Sequence, residues 1–406
     1  MQQMNASKVQ ESRKVFIRVR GPEPLVSLSK ISPGIGPLVV ASPQPNVVIA
    51  DVAPGQIEKL LRSEETEIFE DFRFGLFPGQ DSWWERQEGV VPFGSNAWSS
   101  KTQADVLARI RAPEAWAISR GQGVTIAIVD TGVAGDSGFL PSPLSVSPTF
   151  ATAWADKMGH GTMCASIAAA STARGARYEG VAPDATLLSA RTTMMATDVY
   201  NIYTYLLTKK RDGAFPGGLV ISNSFGHYVC APPDFPEGHP YVDLVRQAVR
   251  EGIHFVFAAG NNHAAGLCGY PATDSGPNTI WATNSIDEVI SVGTVNWNDS
   301  NREEGEHANS SRGPGDWSTR GDKPDVVAPT YGDVRWGDDY RVMEWWGTSG
   351  AAPQVAGLAA LLLAVAPALT PAQLMQLIRG SAEKIDGEAA CVGAGMIDCK
   401  AALGLM

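Results

Sequence analysis

The segment WWGTSGAAPQVAGLAALLLAVAP, Trp345 to Pro367, decides how this chain is read. Its second half is apolar on every side, the pattern of a helix buried inside a protein rather than lying on its surface. Its first half, GTSG, sets the small hydroxyl of Ser349 between glycines where that helix begins. The first backbone N–H groups of a helix have no partner within it and point outward. They can receive a developing oxyanion, and Gly347 and Gly350 leave room for another backbone to approach. A serine in this place can also be only an N-cap, so the rest of the chain has to separate the two roles.

The 406 residues are too many for one small core and imply one large domain with a smaller one. A hydrophobic fraction of 44% with 18% charged residues is ordinary for a globular protein. The formal charge of −11 argues against nucleic acid as a partner, because phosphate binding needs clustered Lys and Arg. No stretch approaches the roughly 18 uninterrupted apolar residues of a membrane span. Ala351 to Ala366 contains Pro353 and Gln354 and reads as a core helix, so no membrane partner is expected. The N-terminal MQQMNASKVQESRKVF lacks the apolar centre of a secretory signal. Localisation stays open between the cytoplasm and export after loss of a signal. Five cysteines leave at least one unpaired. Cys164, after HGT at a helix start, reads as a small buried hydrophobe.

Residues 1–78 read as a small α+β domain. KVFIRVR alternates as a strand, NVVIADV is a second, APGQIEKLL is a short helix opened by Pro54, and TEIFEDFRF alternates again. A Pro/Gly-rich stretch, SPGIGPLVVASPQP, lies between the first two strands. Residues 79–105 carry Gly, Ser and Trp with little periodicity and read as a linker. Over 106–406 the pattern changes. GVTIAIVD, GLVISNS, IHFVFAAG and EVISVGTV are apolar runs of strand type, and YVDLVRQAVREG has helical spacing. Alternating strands and helices predict an α/β, three-layer fold, a mainly parallel sheet with helices on both faces. Sites gather beyond the carboxyl ends of such strands. Asp130 ends one strand and Asn261 follows another.

Three residues then qualify for chemistry. Ser349 needs a base to become a nucleophile. His160, in GHGTMCASIAAA, also stands between glycines at a helix entrance. Asp130, in AIVDTGV, ends a buried strand, where a carboxylate costs free energy unless paired or hydrogen-bonded. Alone, each has a structural reading: a cap, a hydrogen-bonded histidine, a loop-capping acid. Together, Asp, His, Ser is a chain order in which a hydroxyl–imidazole–carboxylate relay occurs.

AIVDTGV, GHGTMCA and GTSGAAPQVAG resemble the three active-site segments of the subtilases, the subtilisin-like serine proteases. The resemblance runs over residues 106–404, with VLARIRAPEAW, GVAPDATLLSAR, AAGNN, SSRGP and KPDVVAP in family order. It implies a subtilisin-like fold and a serine endopeptidase acting on peptide or protein substrates. By position, Asp130 would orient the imidazole, His160 would take the proton of Ser349, and Ser349 would form the acyl-enzyme. Asn261 would share the oxyanion with the Ser349 N–H. Ser224, Phe225 and Gly226 of NSFG would pair with the substrate backbone and wall the main pocket. Ala259 and Gly260 would line the same cleft, with GYPA at 269–272 opposite. Residues 1–78 resemble the family's propeptide, which implies an inhibitor held in the chain and removed by self-cleavage between about 77 and 101.

Met163, Gly350 and Thr330 depart from the commonest pattern without removing a reacting atom. Cys230 and Cys268 follow the two pocket segments. They can join across the rim, remain thiols, or bind zinc with His227 and His263. Cys391 and Cys399 flank a Gly-rich turn where a disulfide also fits. No cofactor or catalytic metal is expected. Structural calcium is common in the family, but no loop here has a dense acidic ligand pattern, and 299-DSNREEGEHANSS-311 reads as a solvated loop. Two other functions use the same framework. One is a peptide-binding pseudoprotease held closed by its N-terminal unit, the other a ligase or macrocyclase that passes the acyl group to an amine.

Overall fold

The computed structural model describes residues 12–21, 24–35, 43–75, 101–135, 139, 142–227, 236–263, 278–298, 303–343 and 345–406. The large unit is built on parallel strands β4 (Thr125–Asp130), β5 (Thr186–Arg191), β6 (Leu219–Asn223), β7 (His254–Ala258), β8 (Ile290–Asn298) and β10 (Val326–Pro329). Their spatial order is β10-β8-β7-β6-β4-β5, and the short β9 (Glu303–Glu306) pairs antiparallel with β8. A hairpin of β11 (Gly332–Trp336) and β12 (Asp339–Met343) stands apart.

The apolar runs are explained by burial on both faces. In β4, Ile126 and Ile128 join the core on one side, with the helices His160–Ala169 and Gly347–Val365. Ala127 and Val129 join the core on the other, with the helices Ala196–Arg211 and Pro240–Arg250. Every residue of the central helix from Gly347 to Leu363 is buried. That accounts for apolarity on all sides, and for its being long and apolar enough by composition to cross a membrane while lying inside the protein.

The small unit is a sheet of β1 (Arg13–Val19), β2 (Val47–Val52) and β3 (Thr66–Glu70), ordered β2-β1-β3 and antiparallel. Along β1, Val15, Ile17 and Val19 pack under its own helices, Pro24–Ile31 and Pro54–Leu61. The alternate residue, Phe16, enters the core of the large unit, 5.3 Å ring to ring from Tyr200. The sheet is therefore covered on both faces, once by its own helices and once by the large unit.

Four expectations are corrected. The element order gains a helix, Pro24–Ile31, between the first two strands, where Pro and Gly on either side had suggested irregular chain. A helix, Gln103–Arg109, begins inside the stretch read as linker, capped by Asp105 accepting the Thr102 N–H at 2.8 Å. Part of 299–311 is the edge strand β9, because backbone pairing needs no apolar side chains and charged edges are common. Cys399 is a buried free thiol, so no disulfide joins it to Cys391. The two lie in different cores, Cys391 with Val327 and Met396, Cys399 with Ala402 and Leu403. Residues 76–100, Cys230, Cys268 and 269–272 lie outside the described residues, and with them most of the linker, the pocket-rim cysteines and the GYPA wall.

Candidate active site

Asp130 is the last residue of β4 and His160 the first of its helix. His160 Nδ1 lies 2.8 Å from Asp130 Oδ1, with both side chains buried. That carboxylate oxygen also accepts the Thr131 N–H at 2.7 Å. A carboxylate accepts only, so Nδ1 carries a proton, and in the neutral imidazole Nε2 presents the lone pair. The close approach requires glycine beside the histidine. A Cβ on Gly161 would come within 2.1 Å of the Gly132 carbonyl and 3.0 Å of Asp130 Cβ. Burial alone would push the imidazole pKa down. The adjacent Asp130 carboxylate, together with Cys164, outweighs it and holds His160 well above the ordinary 6.5.

Ser349 is the third residue of the central helix, among the N–H groups that lack helical partners. Its Oγ donates to the Ser224 carbonyl at 3.3 Å. Its own carbonyl accepts from Ser224 Oγ at 2.9 Å and from Cys164 Sγ at 3.5 Å. Cys164, one helical turn after His160, lies 4.0 Å from His160 Nδ1. The thiol therefore touches both the imidazole and the serine backbone, and the two helix mouths meet there. As the sequence indicated, Cys164 is small and buried, but it also lies against His160 and the Ser349 backbone.

Asn261, three residues beyond β7, is fixed by Thr348. The Thr348 N–H and Oγ1 both donate to Asn261 Oδ1, at 3.0 and 2.8 Å. Thr348 Oγ1 accepts the Gly260 N–H at 3.2 Å. With Oδ1 committed, the amide orientation is set. Its buried Nδ2 is a donor without a partner, as an oxyanion site requires. Sequence reading named Asn261 and missed Thr348. The quoted GTSG shows a second hydroxyl at the helix start, but nothing in it says that Thr348 orients Asn261.

The predicted cleft residues cluster at the same edge. Phe225 is buried and its carbonyl accepts from Asn284 Nδ2 at 2.8 Å. Ala259 donates to the Val292 carbonyl at 2.8 Å, and Gly260 turns at φ +113°. Gly226 already has a partner from the small unit. It exchanges two backbone hydrogen bonds with Gly75, at 3.0 and 3.1 Å, in antiparallel sense. On the other side of this strand, Phe74 N donates to Met194 O and Ala196 N to Phe72 O, each at 2.7 Å. Phe74 is buried, its ring 4.8 Å from Phe225 and 5.2 Å from Tyr241.

Comparison with known proteins identifies the group. The profile described as the subtilase family matches residues 121–395. This chain belongs to the subtilase family. It is 33% identical over 317 residues to mycosin-4 of Mycobacterium tuberculosis, covering 71% of this chain and 67% of that one. It is 32% identical over 289 residues to thermitase of Thermoactinomyces vulgaris, covering 69% and 88%. Serine protease AprX of Bacillus subtilis is 28% identical over 314 residues, covering 69% and 66%. The chain thus spans about two thirds of the length of mycosin-4 and AprX. Its fold is like that of fervidolysin from Fervidobacterium pennivorans, with a TM-score of 0.66 at 20% identity, covering 99% of this chain and 62% of that one. The subtilases are subtilisin-like serine proteases, and this chain is one of them by kinship and fold.

Among the described residues, one group has ligand atoms close enough to hold a metal. Asp130, His160 and Cys164 lie within 4.8 Å of one another. Two of them, Asp130 and His160, are the residues that the sequence reading assigned to the relay, and the third is the buried thiol beside them.

Proposed function

We propose that this subtilase is a serine endopeptidase with Asp130, His160 and Ser349 as its triad, made as a zymogen whose N-terminal unit blocks the cleft. The buried 2.8 Å contact between His160 Nδ1 and Asp130 Oδ1 carries the reading. It leaves Nε2 as the proton acceptor, and Cys164 Sγ, in contact with both His160 Nδ1 and the Ser349 carbonyl, brings the imidazole near the helix start that presents Ser349. Ser349 Oγ loses its proton to His160 and attacks the scissile carbonyl. The oxyanion is received by Asn261 Nδ2 and the Ser349 N–H. His160 then returns the proton to the leaving amine, and water completes hydrolysis.

The Gly75–Gly226 pairing supports the zymogen. A peptide added to a strand edge is bound through its backbone, and the N-terminal unit uses the edge a substrate would use. Two residues back along that edge, Ser224 offers its carbonyl to the Ser349 hydroxyl, so a chain docked at Gly226 is directed at the nucleophile. N-terminal sequencing of the purified protein tests this. Wild type should begin between residues 77 and 101, and Ser349→Ala should remain intact. Equal processing of both would count against self-cleavage.

A further inference from the structure

The surface that holds the N-terminal unit on the large unit contains two buried histidines of the large unit. His239 is 1% exposed and stands edge-on to Phe16, Phe69 and Phe72 of the N-terminal unit, at 4.7, 5.2 and 5.5 Å between ring centres. His227 is 8% exposed and stacks on Phe72 at 4.8 Å, with Phe74 at 5.5 Å. The hydrogen bonds of His239 fix its protonation. Nδ1 accepts the Tyr241 N–H at 3.1 Å and caps the helix Pro240–Arg250, and Nε2–H points at the Glu70 carbonyl of the N-terminal unit at 3.4 Å. A second proton on Nδ1 would set N–H against N–H, and the wall of Phe rings denies the side chain an exit to water.

We propose that docking of the N-terminal unit is proton-linked through His227 and His239, so that mild acid releases it from the cleft. The proton-linked docking stands on the interface geometry. That release unblocks the active site rests on the zymogen reading above. Burial pushes the docked pKa of His227 down to about 4 and, with Arg18 and His227 adding repulsion, that of His239 to about 3. The sign follows from linkage. Both groups bind protons more readily once released, so docking is at full strength above the ordinary 6.5 and weakens as pH falls below it.

Among the described residues, other charged groups lie at this interface, including Arg250, which acts on Asp243, and Lys14, which acts on Asp71. Arg18 of β1 is held by Glu67 at 3.2 Å and by Asp243 at 2.6 Å. The Glu70 carboxylate faces Arg13 at 3.8 Å. Arg246 on the histidine's own helix pairs with Glu237 and Glu288. Asp71 accepts the Thr197 N–H and hydroxyl at 2.9 and 2.7 Å. Burial pushes Asp71 and Asp243 upward, so both act in the opposite sense to the histidines.

The test uses the full chain with Ser349→Ala, which cannot process itself. Hydrogen-exchange protection is measured at residues 66–75 at pH 7.5 and 5.5, corrected for intrinsic exchange. Each histidine that regains the ordinary 6.5 on release should lower protection about tenfold at pH 5.5, about a hundredfold together. His239→Asn, which retains a cap acceptor, should lose only about tenfold. His227→Phe/His239→Asn should be almost flat, while amides of β4, β6 and β7 serve as the folded control. A parent that loses less than threefold, or a double variant that falls as steeply as the parent, overturns the proposal. Docking is read here whether or not the unit inhibits. Inhibition is judged separately, from peptide hydrolysis by the wild type before and after the acid step.

Discussion

Gly75 and Gly226 exchange a pair of backbone hydrogen bonds, and this pair ties the N-terminal unit into the cleft edge that leads to Ser349. The neighbouring Phe74 anchors the pairing in a pocket of Phe225, Tyr241 and His227. Phe74→Ala should weaken docking by about 3–5 kcal/mol, the usual cost of emptying a buried aromatic site. The check is peptide hydrolysis by freshly purified protein. The variant should show less self-inhibition, and an unchanged lag before full activity would show that the pocket does not hold the unit.

Thr348 commits Asn261 Oδ1 and so aims Asn261 Nδ2. Asn261→Ala should lower kcat by about 10²–10³ with little change in KM, a range set by the loss of the matching oxyanion donor in subtilisin, a member of this same family. Thr348→Val keeps the backbone donor and loses the hydroxyl, so it should cost less, about tenfold in kcat. A Thr348→Val enzyme with unchanged kcat would show that the backbone N–H alone sets the amide.

His160 must be neutral to accept the Ser349 proton. Because Asp130, together with Cys164, holds its pKa well above 6.5, the acid limb of kcat/KM should lie above 6.5, with activity rising as pH rises through it. A profile flat down to pH 4 would contradict His160 as the base.

Asp325 anchors the far end of the sheet. It accepts from buried Lys323 at 2.6 Å and from Arg320 and Arg379 at 2.8 and 2.9 Å. Burial pushes its pKa up, but Lys323, the Ser291 N–H and Arg320 outweigh burial and lower it. Its contribution is therefore present above the unfolded carboxyl pKa and lost as pH falls through the folded one. Asp325→Asn strands the Lys323 charge in the core and should destabilise the fold by about 3–5 kcal/mol, measured by denaturant unfolding. A loss below about 1 kcal/mol would mean that the site relaxes or takes in water.

Much of this was legible in the sequence because the site lies where element ends meet. Asp130, His160 and Ser349 each stand at a strand end or helix start marked by glycines, and the parallel sheet declared itself through runs such as IAIV that bury both faces. What was hidden depended on contacts distant in sequence. Nothing local shows that Thr348 orients Asn261, 87 residues away, or that Phe74 inserts against Tyr241. The helix Pro24–Ile31 was obscured because Leu28 is buried while Leu25 and Val26 are exposed, which breaks a clean apolar stripe. β9 was hidden because an edge strand is held by its backbone.

The central claim is that His160 activates Ser349. It is tested most directly by a fluorophosphonate probe applied after the N-terminal unit has been removed, with the labelled peptide sequenced. The account predicts one label, on Ser349, abolished by Ser349→Ala and slowed by orders of magnitude in His160→Ala. Folded protein that takes no label, or takes it equally well without His160, would contradict it.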